Sequence, residues 1–434
     1  MNPLLDFSGL PRFAEIRPEH VAPAIDQLLA ENRALVARLL ASIAVPAWDN
    51  FMQPLDDANE RLSRAWGQVG HLNAVMNSPE LREVYNANLP KVTQYYAELG
   101  QNHELFSKVK ALRAGSGFST LGMARKKIIE NELRDFRLGG AELPDSQKAR
   151  FLVIQEALST LSSKFSDNVL DATNAWTTLV VEASELSGLP EDDRQAAQEA
   201  ARAAGKQGWL FTLKAPSYLA VMQYADNRAL RERMYRAYST RASELDGAKF
   251  DNTPLMADIL KLRAEEAALL GFRNYGELSL ATKMADTPQQ VMEFLRQLAR
   301  RARPFAERDL KELREFARTK LNIADLQAWD VAYASEHLRK ERYAFSEQEV
   351  KQYFPEDVVL PGMFRLVETL FGLAVRPSQA PVWHEDVRFF DLQDSAGRLI
   401  GQFYVDLYAR DSKRGGAWMD DAITRRRVVT GIQT

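Results

Sequence analysis

The chain has 434 residues, more than one compact hydrophobic core usually supports, so we expect two or three lobes or one elongated helical body. Its 46% hydrophobic and 26% charged residues are typical of globular proteins, and a net charge of −3 gives no electrostatic reason to expect nucleic acid or an acidic membrane as partner. Cysteine is absent, which excludes disulfides and cysteine-ligated zinc. With no signal-peptide pattern and no apolar run of about 20 residues, the sequence predicts a cytoplasmic protein.

Apolar residues at helical spacing predict helices through the first third of the chain. Residues 1–18 are interrupted by proline and are expected to pack as an extended strap over a helix. The predicted helices cover about 20–43, a second stretch capped by Asp49, 78–112 with a kink at Pro90, and 120–138.

The longest predicted helix begins near Asp145 and carries apolar residues three or four apart from Phe151 to Trp176. This seam predicts an antiparallel helical hairpin within the chain, with an intermolecular coiled coil as the alternative. Two β-like runs, 177–182 and 209–214, are predicted to pair around a surface helix. Further helices are predicted after Asp226, from Thr253-Pro254, from Thr287-Pro288, after Ser346 and over 363–371.

Near the C-terminus, between residues 382 and 421, the hydrophobic period changes from about 3.6 to 2, which predicts strands. The turn residues 394–397 lie between two such runs and predict a hairpin. A third strand is predicted through Gly415, Gly416, Ala417 and Trp418. The two glycines remove side chains where another backbone could approach, so this edge is a candidate for binding an extended peptide; a simple bulge is the alternative.

No catalytic centre and no metal ligand are predicted from the residues themselves. The histidines cannot form H-E-x-x-H because no two of them are four apart: His20, His71, His103, His337 and His384. Neighbouring residues point in different directions, so His384-Glu385-Asp386 is interpreted as a polar strand start, with a metal site or a cofactor-free hydrolase as alternatives. Nucleophilic-serine and phosphate-loop motifs are also absent.

Two short basic groups, Arg425–Arg427 and Arg300-Arg301 with Arg303, are interpreted as solvated faces. Binding of an acidic partner is the alternative for both groups.

Several stretches resemble the thimet-oligopeptidase-like zinc metallopeptidases. They are NPLL near the start, PEHVAPAI, ENELRDFRLGG at 130–140, KFSDNVLDATNAW at 164–176, MYRAYSTRAS at 234–243, NYGELSLATKMADTPQQV at 274–291, AWDVAYASEH at 328–337, and VRFFDLQD followed by FYVDLYARDSKRGGAWMDD at 403–421. The matches extend from end to end of the chain.

The resemblance implies a mainly α fold: long helical hairpins forming one lobe of a two-lobed channel peptidase, a small β-ornament and a C-terminal antiparallel sheet. Domains are expected at 1–140 (N-terminal helices), 141–375 (long-helix hairpins with the β insertion) and 376–434 (the start of the catalytic-domain sheet). The family uses zinc, with the glutamate of H-E-x-x-H as general base, and acts on short peptides.

That zinc motif is not in this sequence, so we interpret the chain as the N-terminal portion of such an oligopeptidase, inactive without the missing C-terminal catalytic half. The resemblance implies that residues 415–418 align the substrate backbone. The alternative is a stand-alone helical peptide-binding or interaction protein without catalysis.

Overall fold

A computed structural model describes residues 2–247, 249–428 and 431–433, and it confirms a mainly helical fold with small antiparallel sheets. The helices are α1 (Pro18–Ser42), α2 (Gln53–Val75), α3 (Pro79–Gly100), α4 (His103–Ala114), α5 (Met123–Leu138), α6 (Asp145–Ala175), α7 (Glu191–Ala203), α8 (Ala215–Tyr224), α9 (Arg228–Thr240), α10 (Thr253–Leu269), α11 (Tyr275–Leu280), α12 (Pro288–Lys320), α13 (Val331–Tyr343), α14 (Glu347–Lys351) and α15 (Glu356–Phe371). The strands are β1 (Thr177–Val180), β2 (Trp209–Thr212), β3 (Ala374–Ser378), β4 (Arg388–Gln393), β5 (Leu399–Val405), β6 (Arg426–Val428) and β7 (Gly431–Gln433).

The chain forms two compact units, each built from separate stretches. Unit 1 comprises 1–164, 255–284 and 375–434, and unit 2 comprises 165–254 and 285–374. The predicted domains at 1–140, 141–375 and 376–434 remain a prediction; residues 429, 430 and 434 lie outside the described part of the last one.

The first core of unit 1 lies under α1, α2 and α3. Val21, Ile25 and Leu28 of α1 are fully buried at the spacing that places them on one helical face. The N-terminal strap contributes Leu4 and Phe13 to the same core. The predicted packing is therefore confirmed for residues 2–17, but the chain there is not wholly extended, because Pro3–Leu5 and Phe13–Glu15 form short 3-10 helices.

Several predicted helix boundaries are wrong because short polar side chains cap elsewhere. The predicted 78–112 helix divides into α3 and α4, since the Asn102 side chain accepts a hydrogen bond from the Leu105 N–H at 2.9 Å and starts a new helix. Asp49 lies inside a π-helical turn and does not cap α2. Asn227, not Asp226, caps α9.

In unit 2, β1 and β2 pair antiparallel, as predicted, with Thr177 opposite Thr212. The centre of the unit holds a buried ion pair: the Arg231 guanidinium lies 2.8 Å from the Asp330 carboxylate, which also contacts Arg228 at 2.7 Å. Asp330 accepts from both arginines, so its charge is satisfied although it is fully buried.

The C-terminal sheet has the order β3–β4–β5, and the predicted hairpin is confirmed with Phe390 opposite Phe403. The predicted third strand through residues 415–418 is wrong. Gly415 and Gly416 form a bend, and Ala417 and Trp418 have no regular structure. β3 pairs with β4 instead, so the sheet is completed by a stretch that precedes the hairpin.

Candidate functional site

The residues predicted to bind a peptide lie in an exposed segment, 415–421, that is held at both ends along α2. All seven residues of this segment are exposed. Within the described part of the chain, the backbone of 415–421 makes no hydrogen bond to another backbone group. Unpaired N–H and C=O groups in an exposed segment are available to a second chain.

One end of the segment is fixed by the Asp406 carboxylate, which follows directly after β5. It accepts hydrogen bonds from the Trp383 indole at 2.9 Å and from both terminal nitrogens of Arg410 at 2.8 and 2.6 Å, and it lies 3.0 Å from the Lys413 ammonium. Asp406 has 9% of its side chain exposed, and Arg410 and Lys413 have 11% each. The carboxylate is therefore the centre of a nearly buried charged cluster.

Two opposing effects set the acidity of Asp406. Burial acts to raise its pKa, but the hydrogen bonds from Arg410, Trp383 and Lys413 outweigh burial and hold the pKa well below the ordinary carboxyl range. Asp406 is ionised at neutral pH and keeps both cations in place.

The same loop docks on the C-terminal end of α2 through the backbone. Arg414 N–H donates to the Ala74 carbonyl at 2.8 Å, and Asn77 N–H donates to the Ser412 carbonyl at 2.8 Å. The last carbonyls of a helix have no partner within the helix, so this loop satisfies one of them for α2. These bonds fix the chain immediately before Gly415.

An aromatic cluster packs around Trp383, the residue whose indole donates a hydrogen bond to Asp406. The Trp383 ring lies 5.0 Å from Phe13, 4.2 Å from His71 and 5.2 Å from Tyr404, measured between ring centroids. Burial lowers the pKa of His71 in spite of the nearby carboxylates, which favours the neutral imidazole in this cluster.

The other end of the segment is fixed by Arg426 in β6. Its guanidinium contacts Asp56 and lies 2.6 Å from Asp57 and 3.8 Å from Glu60, all near the start of α2. Arg426 is only 13% exposed at its side chain, so the predicted solvated face is wrong for this residue. Arg427 beside it is exposed, as predicted.

The two glycines differ in what they require. Gly416 has φ of +112°, a conformation that residues with a side chain rarely adopt, whereas Gly415 is not among the positive-φ residues. A Cβ at either position would meet no atom within 4 Å. The glycine at 416 is therefore required by backbone conformation and not by lack of space.

The residues that the structure describes do not fit a zinc site. Among the described residues, no group of three or more His, Asp or Glu side chains is placed to hold a metal ion. The His384 Nδ1 accepts from the Asp386 N–H at 3.2 Å, as a polar turn does. In the part of the chain that the structure covers, each helix is too short or too polar to cross a bilayer.

Sequence reasoning found the glycine segment but missed both of its anchors. Asp406, Arg410 and Lys413 follow a strand and are spaced four and three residues apart. This spacing of opposite charges could have predicted the charged cluster. Arg426 gave no such signal, because its partners lie about 370 residues earlier in the chain.

Residues 221–433 match the family model described as "Peptidase family M3", and residues 25–148 match "Neurolysin/Thimet oligopeptidase, N-terminal domain". The chain is similar to Oligopeptidase A of Haemophilus influenzae, with 48% identity over 99% of this chain and 63% of the relative. It is 47% identical to Oligopeptidase A of Escherichia coli over 99% of this chain and 64% of that relative. Dipeptidyl carboxypeptidase of Escherichia coli is 30% identical over 98% of this chain. The chain thus spans less than two thirds of the length of these relatives.

Proposed function

The chain belongs to peptidase family M3, and on this premise we propose that it serves a zinc-dependent oligopeptidase by aligning short peptides along the 415–421 segment. Gly415, Gly416, Ala417 and Trp418 are the residues proposed to contact the substrate backbone. The extended peptide adds to this segment as a strand, through main-chain hydrogen bonds.

The proposal rests on the exposure and the unpaired backbone of the 415–421 segment. Residues 415–421 are exposed and make no backbone–backbone hydrogen bond within the described residues, while the chain on either side is fixed to α2. A segment held at both ends loses little conformational freedom when a peptide pairs with it, so more of the interaction energy appears as affinity.

We propose that residues 1–434 bind peptides without cutting them. The sequence contains no H-E-x-x-H, and the residues that the structure describes do not fit a zinc ion. Zinc would supply a polarised carbonyl and an activated water when bound to the additional polypeptide that the longer relatives contain. That polypeptide, the catalytic half expected from the resemblance, is the proposed partner.

A cytoplasmic location also belongs to the proposed function. It is supported by one relative, the probable cytosolic oligopeptidase A of Arabidopsis thaliana, which is 40% identical over 99% of this chain and 62% of the relative. Another relative is named as chloroplastic/mitochondrial, so location varies among these proteins.

The test is binding of a labelled nine-residue peptide to the 434-residue chain, measured by fluorescence anisotropy. We expect saturable binding of the peptide. Mass spectrometry of the peptide over the same period should detect no cleavage. The matched control is the same peptide with alternate backbone amides N-methylated, which removes main-chain donors and leaves the side chains unchanged. Equal binding by the two peptides would exclude strand addition, and cleavage by a metal-free sample would exclude the inactive assignment.

A further inference from the structure

Helix α12 in unit 2 has a long stretch that no described residue covers. Every residue from 292 to 312 is exposed, a run of 21 residues or about 30 Å of helix. Burial resumes only at Leu313 and Ala317, which pack against Ala334 of α13. An amphipathic helix normally buries one face, so the uncovered stretch offers a surface for a further partner.

The uncovered stretch carries a narrow apolar stripe. Leu295, Leu298, Ala302 and Phe305 are spaced three, four and three apart, which places them in one line on the helix; we call them the α12 seam. Leu298 is 48% exposed and Phe305 is 60% exposed. This spacing is that of a helix-pairing seam, and it is narrower than the broad apolar face of a membrane-surface helix.

Arginine lies on one side of the α12 seam. With about 100° between successive residues, Arg301 and Arg308 lie on one flank and Ala299 and Ala306 on the other, whereas Arg296 and Arg303 lie farther round the helix. Between residues 288 and 308 there are five arginines and two glutamates, a net charge of 5 − 2 = +3. Of the two flanking arginines, Arg301 forms no ion pair with any described residue, while Arg308 pairs with Asp309 at 3.0 Å.

We propose that the α12 seam is a docking surface for a polypeptide helix that carries an apolar seam with an acidic flank. Such a helix buries Leu298 and Phe305 and places carboxylates beside Arg301. A second copy of this chain fits less well, because pairing α12 with itself sets arginine flank against arginine flank. The basic group at 300–303 is interpreted from sequence as a solvated face. In this proposal its Arg301 binds carboxylates of the partner helix instead.

The test is binding of a synthetic helical peptide of about three heptads with leucine at the seam positions and glutamate on both flanks, measured by calorimetry with the full 434-residue chain. A peptide with lysine on the flanks is the control. We expect saturable binding of the acidic peptide that weakens with salt, and no binding of the basic peptide. Equal binding of both peptides, or of neither, would overturn the proposal.

A matched pair of variants separates the seam from general charge. Arg301→Glu changes a flank residue, and Arg300→Glu makes the same charge change on the opposite side of the helix. We expect Arg301→Glu to weaken binding about fivefold and Arg300→Glu much less, with Leu298→Asn weakening it about tenfold. All three residues are exposed, so the fold is expected to persist, checked by circular dichroism. Equal effects of the two arginine variants, a dimer of the free chain that Leu298→Asn abolishes, or binding to anionic vesicles through the seam would each contradict the proposal.

Discussion

At the scale of single residues, Asp406 is the centre of the charged cluster that anchors the proposed peptide-binding segment. Asp406→Asn leaves Arg410 and Lys413 nearly buried without their counter-charge, and we expect the free energy of unfolding to fall by about 3 kcal/mol at pH 7. Urea denaturation at equilibrium measures this loss.

The effect of Asp406→Asn is expected to depend on pH with a known sign. Because the folded-state pKa of Asp406 is lowered, its contribution is complete above the ordinary carboxyl pKa of about 3.9 and is lost as the pH falls below that value. The difference in the free energy of unfolding between the unchanged chain and the Asp406→Asn variant should therefore become smaller at acidic pH. Asp421→Asn, at an exposed carboxylate, is the control; an equal loss there, or a difference independent of pH, would contradict this role.

The adjacent glycines give a second test at this scale. Gly416→Ala places a side chain at φ of +112° and should cost about 1–2 kcal/mol or change the course of the segment, whereas Gly415→Ala, with open space and no positive φ, should be nearly neutral. Denaturation midpoints and peptide affinity are measured for both variants. Equal effects at the two positions would show that backbone conformation is not what glycine supplies at 416.

At the scale of elements, the sequence predicts what depends on local pattern. The β4–β5 hairpin was predictable because alternation and the turn at 394–397 determine its pairing, with Phe389 opposite Tyr404. The long helix from Asp145 was predictable from its seam. The division of α3 from α4 was not, since apolar spacing continues through the break and only the Asn102 cap marks it.

The same distinction applies to the candidate site. Gly415 and Gly416 were predictable as a place without side chains, because that is a property of the residues alone. The predicted strand there is wrong because the chain bends at Gly415 and Gly416, and the described sheet consists of β3, β4 and β5 without this segment. The Arg426 contacts with α2 join residues about 370 apart in sequence, which no local pattern reports.

The attachment of β6 to α2 depends on Arg426, and this dependence can be tested. Arg426→Gln removes the cation that holds β6 beside Asp56, Asp57 and Glu60, so the chain after residue 421 loses its second attachment to α2. We expect weaker peptide binding and faster amide hydrogen exchange in β6, which pairs with β7 and therefore has hydrogen bonds to lose. Arg427→Gln, at the exposed neighbour, is the matched control. Unchanged exchange in the Arg426 variant would show that β6 is ordered without this anchor.

At the scale of the whole molecule, we propose that binding and cutting of a peptide depend on different residues. The charged cluster around Asp406, the Arg426 contacts and the exposed segment between them all lie within unit 1. All of these residues belong to the present sequence. A zinc peptidase also needs ligands on one face, commonly two histidines four residues apart, and the sequence contains no such pair. The chain therefore has a proposed means of holding a peptide but no residue pattern for holding the ion.

This separation predicts that the 434-residue chain retains well below one zinc ion per molecule after incubation with zinc and dialysis, measured by atomic emission. Isolated histidines and surface carboxylates bind zinc too weakly to keep it, because fewer than three ligands converge at any one point among the described residues. A Cys2His2 zinc-finger domain carried through the same dialysis should keep its zinc and shows that the procedure does not strip structural sites. Stoichiometric zinc in the chain, lost on replacing His384 by alanine, would instead assign a metal site to His384-Glu385-Asp386.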